Sequence, residues 1–297
     1  ADGEAYAAVG PSTGAVPAQS PAVWAPIASK AIPRLSPQQI ARQAWWLDPS
    51  RPATVTVGAG AAAAAFDGAN LWVANYFGDT VSKVNRRTNT VTATVPVGNG
   101  PYFVTYDGTS IWVANNNTNT LSKINPKTNA VTATVTVGDT PRGLAFTGTH
   151  LWVANFTSAT LSKVDPTTNT VVATVPVPDQ PQNVVFDGTS IWVGGTFGSV
   201  GGNTAIKRVV KLSATGAVVS GFRSVPNSGV NEVVYQSGRV YIGGSFTSVV
   251  SGGVTSTRRA LAALDPTTGA TLASVNVPFT GVYDPNNNGG GTTNVKR

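Results

Sequence analysis

"LWVAN" (71–75), "IWVAN" (111–115), "LWVAN" (151–155) and "IWVGG" (191–195) are one apolar run written four times, 40 residues apart. A fixed period of this length marks a repeat architecture, so it is read before any single residue. Around these runs, residues 62–100, 101–140 and 141–180 match almost position for position. The 101–140 unit holds four short apolar runs: "YFVTY", "SIWVAN", "TLSKI" and "AVTATVTV". Turn chemistry separates them. "DGTS" supplies a glycine for φ > 0, and "NPKTN" or "DPTTN" supplies a turn proline and an asparagine for a left-handed position. Val and Thr dominate, and no 3.6-residue period is present, which excludes a helical solenoid. Four strands per unit predict a β-propeller of four-stranded antiparallel blades.

A fourth unit (183–222) and a fifth (231–277) follow, with Gly- and Ser-rich enlargements between their second and third strands. About five complete blades are therefore expected. "ATVTVG" (53–58) copies a fourth strand with no unit before it, and "TTNVKR" (292–297) resembles a first strand. A sixth blade is expected from the termini, from residues beyond 297, or from a neighbouring molecule. Trp72, Trp112, Trp152 and Trp192 recur at one position and are expected to fill the same slot between blades.

Residues 1–52 differ. They read as a Pro/Ala-rich extended segment with a short helix over 37–47, opened by Ser36 as N-cap and Pro37 in the first turn. Ile40, Trp45 and Trp46 would dock this segment on the propeller or on a partner, which makes residues 1–58 a route to self-assembly.

At "LWVAN…TVSKVN…TNTVTATVPVG" the chain resembles the YVTN family of β-propeller repeats, found in surface-layer and other exported proteins, over roughly 53–182. The match continues more weakly to about 195; from "WVGGTFGSVGG" (192–202) and "VYIGGSFTSVVSGG" (240–253), about 190–297 looks like delta-60 repeats of bacterial surface proteins, so 183–297 are expected to form delta-60-like blades. The resemblance implies a secreted or envelope-attached bacterial protein. A neighbouring propeller family, the virginiamycin B lyases, relies on a histidine base and a carboxylate-bound metal. Neither appears here in a matching context.

Composition narrows the chemistry. With no Cys and one His, a thiolate metal site and a Ser-His-Asp triad are excluded as expectations, and no metal or cofactor is expected. His150 stands where other units have Asn70 or Ser110, in a hairpin turn. The carboxylates sit in turns and links, without the close pair a glycosidase needs. The formal charge of +7 comes from scattered Lys and Arg, so no specific nucleic-acid partner is expected. No window approaches the ~20 apolar residues of a membrane-spanning helix. Lys83, Lys123, Lys163 and Lys211 recur on third strands, their stems expected between blades and their ammonium groups in solvent.

The variable residues lie in the links between units and the loops joining second to third strands. Tyr76, Phe77, Tyr102, Asn116, Arg142, Phe156, Gln180 and Gln182 are the candidate ligand residues, because aromatic faces beside amides suit sugars or flat protein epitopes. "NNT" (116–118) and "NFT" (155–157) also match N-glycosylation sequons. The expected function is a non-enzymatic, exported surface module contacting protein or cell-surface polysaccharide. The alternatives are a subunit of a polymeric envelope structure and, third, a lyase or hydrolase with a central pocket.

Overall fold

The structure, a computed structural model, describes the backbone strands at 6–8 and 24–26 and then residues 54–177, 179–198 and 207–273. The chain divides into two units, Ala1–Trp46 and Leu47–Arg297. In the first, β1 (Tyr6–Ala8) pairs antiparallel with β2 (Trp24–Pro26), a small sheet where the sequence reads as an extended segment. The expected helix 37–47, with Ile40, Trp45 and Trp46, and the expected strand 292–297 lie outside the described residues.

The second unit is a β-propeller. Its first three blades are four-stranded antiparallel sheets: β3 (Ala61–Phe66) to β6 (Thr90–Pro96), β7 (Pro101–Tyr106) to β10 (Ala130–Thr136), and β11 (Pro141–Phe146) to β14 (Thr170–Pro176). The intervening strands are β4 (Asn70–Asn75), β5 (Thr80–Asn85), β8 (Ile111–Asn115), β9 (Thr120–Asn125), β12 (Leu151–Asn155) and β13 (Thr160–Asp165). The fourth blade has β15 (Pro181–Phe186), β16 (Ser190–Gly195) and β17 (Val209–Ser213). The fifth has β19 (Val230–Gln236), β20 (Arg239–Gly244) and β23 (Leu261–Leu264). Its enlarged loop carries β21 (Ser248–Ser251) and β22 (Val254–Thr257), which form a side sheet with β18 (Val225–Pro226) from the link before the blade, β21 pairing with both.

Two expectations about strands are corrected. Blade four reduces its fourth strand to a single bridge, Leu212 to Val218; in blade five the described part of that run, up to Ala273, forms the bridge Leu264 to Thr271, and the remainder lies outside the described residues. The fourth blade's run follows a shorter turn, "SATG" (213–216), and lacks the "TVTATV" text that extends the ladder elsewhere. Residues 54–57 form no strand either, despite copying a fourth strand. A fourth strand is held by the third strand before it, and among the described residues none precedes this one.

Turn chemistry explains where the chain reverses. Gly68, Gly108, Gly148 and Gly188 adopt φ of 97°, 98°, 89° and 100° in the first hairpins. Asn89, Asn129 and Asn169 take φ of 52°, 58° and 57° between third and fourth strands, tolerable for Asn because its short polar side chain bonds locally.

First strands lie side by side from β3 to β7, β11, β15 and β19, so they are innermost. Fourth strands are outermost and largely exposed. The runs β8 and β12 are buried at every residue, because blades cover both faces. The core is a series of interblade clusters. Trp72 packs with Val104, Ile111, Val113 and Ile124 of the next blade. Trp112 packs with Leu144, Leu151, Val153 and Val164, and Trp152 with Val184, Ile191, Val193 and Val210. Trp192 meets Val230, Val233, Val240 and Ile242. All four indoles are fully buried, and burying a large aromatic supplies several kcal/mol, roughly 3–5 by the cost of truncating one to Ala.

Two polar bonds accompany each tryptophan. The indole Nε1 donates to the first-turn aspartate: Trp72 to Asp67 at 2.7 Å, Trp112 to Asp107 at 2.7 Å and Trp192 to Asp187 at 2.8 Å. Burial pushes these carboxyls up, but the indole and the turn amides outweigh it and hold all three below the usual aspartate range. In the third blade Thr147 replaces the aspartate, and Trp152 Nε1 is buried without a partner.

The recurring lysines lie over the same rings, Nζ 5.0–5.7 Å from the centroids. Their ammonium groups do not simply run out to solvent. Lys83 donates to Pro126 O at 2.6 Å and Asn129 Oδ1 at 3.1 Å, in the next blade's turn. Lys123 does the same with Pro166 and Asn169, and Lys211 with Pro266 O at 2.9 Å. Lys163 makes no such bond among the described residues, because the fourth blade's turn, "SATG" (213–216), lacks the proline and asparagine.

Candidate binding face and axial cavity

Each first strand carries a β-bulge at its start. The register skips a residue between Ala61 and Ala63, Pro101 and Phe103, Pro181 and Asn183, and Val230 and Glu232, and is likewise broken after Pro141. A bulged residue leaves the ladder and its side chain is re-aimed. The residues so placed are Ala62, Tyr102, Arg142, Gln182 and Asn231. Three of these are candidate ligand residues from the sequence.

The neighbouring loop residues join them into one strip. Phe77 meets Tyr76 edge to face at 5.1 Å, and Tyr76 meets Tyr102 at 6.1 Å. The Arg142 guanidinium lies 5.6 Å from the Tyr102 centroid and 3.5 Å from that of Phe156. Arg142 also donates through Nη1 to Gln182 Oε1. Tyr76 donates to Asn117 Oδ1 at 3.3 Å, and Asn117 to Asn99 Oδ1 at 2.7 Å. Blades one to four thus contribute to a continuous surface, and Phe77 at its end is 78% exposed.

Two candidates fall outside the strip. Asn116 is buried and donates to Pro141 O at 3.4 Å, so it supports the link between blades and offers no free amide. Gln180 is exposed and accepts from Thr196 Oγ1 at 2.7 Å, within the fourth blade. Neither sequon offers its asparagine: Asn155 is fully buried, donating to Thr160 and Ser162 at 3.0 and 2.8 Å. His150 stays in its turn, Nδ1 3.0 Å from Thr149 Oγ1.

The strip borders a cavity of about 400 Å³ lined by Ala61, Ala62, Ala63, Ala64, Val73, Phe103 and Glu232. The hollow follows from the alanine run, which puts methyl groups where other first strands carry larger side chains. The gap is specific to that side of the axis. Elsewhere first strands approach so closely that a Cβ on Gly143 would sit 2.8 Å from Asn183 Cα. Glu232 reaches the cavity from the fifth blade, and its Oε1 accepts from Asn183 Nδ2 at 3.0 Å. The sequence shows Glu232 only as an acid without a neighbouring partner, and the alanine run only as an apolar stretch. Their meeting depends on ring geometry. Among the described residues no group of three His, Asp or Glu could hold a metal ion, and no helix is long and apolar enough to cross a membrane.

Residues 44–154 match a family profile described as a YNCE-like beta-propeller. None of the curated proteins is similar in sequence. Among solved structures, the chain is similar to Kuenenia stuttgartiensis hydrazine synthase, with a TM-score of 0.57 and 20% identity over 72% of this chain. The similarity spans 65% of the length of that chain, and at this identity it concerns the fold alone. Profile and structure agree on a propeller.

Proposed function

We propose that the propeller is a binding module that acts outside the bacterial cell or at its surface, taking a protein or polysaccharide partner on the strip from Phe77 to Gln182 without turning it over. The observation that carries this reading is the strip itself. It has an exposed aromatic end, a guanidinium held between two rings, and amides set among them. Such a surface covers apolar C–H faces and offers both donors and acceptors, with its side chains already fixed by one another. The resemblance of the repeats to exported propellers supports the location. The described residues hold one histidine, in a turn, which supports binding over general acid-base chemistry.

The test is a glycan array and a bacterial-surface protein display probed with the full chain and with Phe77→Ala and Arg142→Met. A ligand that both substitutions weaken about tenfold or more, with unchanged thermal unfolding, supports the site. A ligand indifferent to both refutes it.

Assembly is a second reading, favoured by residues 54–57, which carry the text of a fourth strand yet lie in no ladder. Sedimentation of the full chain against a chain lacking 1–58 checks it, since equal masses at every concentration would dismiss self-association through that segment.

A further inference from the structure

We infer that an open blade slot lies between the fifth and first blades, and that it receives a β-hairpin of a partner protein built like the second and third strands of these repeats. The slot is separate from the strip, and it shares only residues 54–57 with the assembly reading.

Each join between blades has a giving and a receiving side. The fourth blade gives Val185, Trp192 and Val209, all packed in the cluster it shares with the fifth. The fifth blade sets Val234, Tyr241 and Leu261 at the same places in its ladders. There Val234 is 42% exposed, and Tyr241 and Leu261 are half-buried. The receiving side is open too. Val104, Ile111 and Val113 are buried with Trp72, and Leu144, Leu151 and Val153 with Trp112. Their counterparts in the first blade are Ala64, which is exposed, Leu71, which is half-buried, and Val73, which lines the axial cavity.

The outer edge of the slot already has its strand text. Residues 53–58 spell "ATVTVG", identical to 133–138, which lead from the fourth strand of blade two into blade three. Both runs arrive in the same way: a Cβ on Gly58 would sit 2.7 Å from Asn75 Cγ, and one on Gly138 2.7 Å from Asn155 Cγ. The chain thus enters the first blade along the path by which one blade hands over to the next. Val135 is buried beside its cross-strand partner Leu121, whereas Val55, its counterpart, is half-buried and lies in no ladder.

The joins within the chain define the occupant. The strand beside 54–57 needs an apolar residue opposite Val55 and a small hydroxyl opposite Thr54, as Leu121 and Ser122 stand opposite Val135 and Thr134. The strand before it needs a tryptophan to enter the space over Ala64, Leu71 and Val73. Adding strands to a waiting edge supplies main-chain hydrogen bonds, and the indole supplies apolar burial. Ala64 and Val73 share one cavity of about 400 Å³ with Glu232 of the fifth blade, so the opening is narrow: strands fit it, and a second folded copy of this chain does not.

The probe is a peptide of residues 110–125, the second and third strands of blade two, labelled with fluorescein and titrated into the full chain by anisotropy. Saturable one-to-one binding is expected. Trp112→Ala in the peptide, and Val55→Asp or Leu71→Asp in the chain, should each weaken it about tenfold or more, while Phe77→Ala leaves it unchanged. Thermal unfolding of the chain variants is measured alongside, and Val55→Asp, outside every strand, serves if Leu71→Asp misfolds. Absence of saturable binding overturns the inference, as does binding indifferent to Val55→Asp or to the loss of the peptide's indole. Binding that appears only in chains trimmed at one end means that this chain closes its own slot, and overturns it as well. In each case a strip ligand still sensitive to Phe77→Ala would leave the binding face standing.

Discussion

Thr147→Asp should make the protein more stable. Three blades pair the indole with an aspartate whose Oδ2 accepts Nε1–H at 2.7–2.8 Å and whose Oδ1 accepts two backbone amides at 2.6–2.8 Å. In the third blade Thr147 Oγ1 accepts from His150 N at 3.2 Å, donates to His150 O at 3.1 Å and lies 3.4 Å from Thr149 Oγ1, while Trp152 Nε1 stays buried and unpartnered. An unsatisfied buried donor costs about 1–3 kcal/mol. The substitution gives up the threonine's longer bonds, and the new carboxylate, like its sisters, would be partly open to screening by water. The net gain is then about 1–1.5 kcal/mol, or a rise in Tm of about 2–6 °C for a domain of this size. The sign with pH follows from the sister residues. Their folded pKa values are lowered, so the stabilisation is fully present above the unfolded value, about 3.9, and fades as pH falls through the folded one. Differential scanning calorimetry at pH 7 and pH 3 measures both. A Tm unchanged or lowered at pH 7, or a gain equally large at pH 3, would refute the account of these turns.

Three further outcomes are expected. Lys123→Met should lower stability by about 1–2 kcal/mol, through loss of charge-assisted bonds to Pro166 and Asn169, whereas Lys163→Met should cost under about 0.5 kcal/mol; urea midpoints compare them. Asp107→Asn should destabilise at pH 7 and converge on the parent as pH falls through the depressed folded pKa of Asp107, read by acid titration of near-ultraviolet circular dichroism. Secretion from a glycosylating host should leave Asn116 and Asn155 unmodified, since their amides are buried and engaged; intact mass decides this.

The fold was legible because repetition amplifies local signals. "DGTS" and "NPKTN" declare their turns by residue type, and the left-handed glycines and asparagines stand where that chemistry requires. Tyr76, Phe77, Tyr102, Arg142, Phe156 and Gln182 were found by asking which residues break the repeat, and they lie in one strip. Asn116 and Gln180 pass the same filter, yet one supports a link and the other bonds Thr196 within the fourth blade, because variability alone does not say what a side chain meets. The reach of Lys83 to Pro126 spans 43 residues, and that of Asn183 to Glu232 spans 49. Such distances cross from blade to blade, and no window of sequence contains them. The bulges that aim Tyr102 and Arg142 are likewise a property of strand register, invisible until two strands are paired.

The join between the third and fourth blades lacks both bonds that its counterparts carry, the indole to a carboxylate and the ammonium to a turn carbonyl. Its apolar filling is complete, and a polar tie crosses it at the first strands, from Arg142 Nη1 to Gln182 Oε1. Under denaturant or mechanical load the row of blades would part at that place before its other described joins.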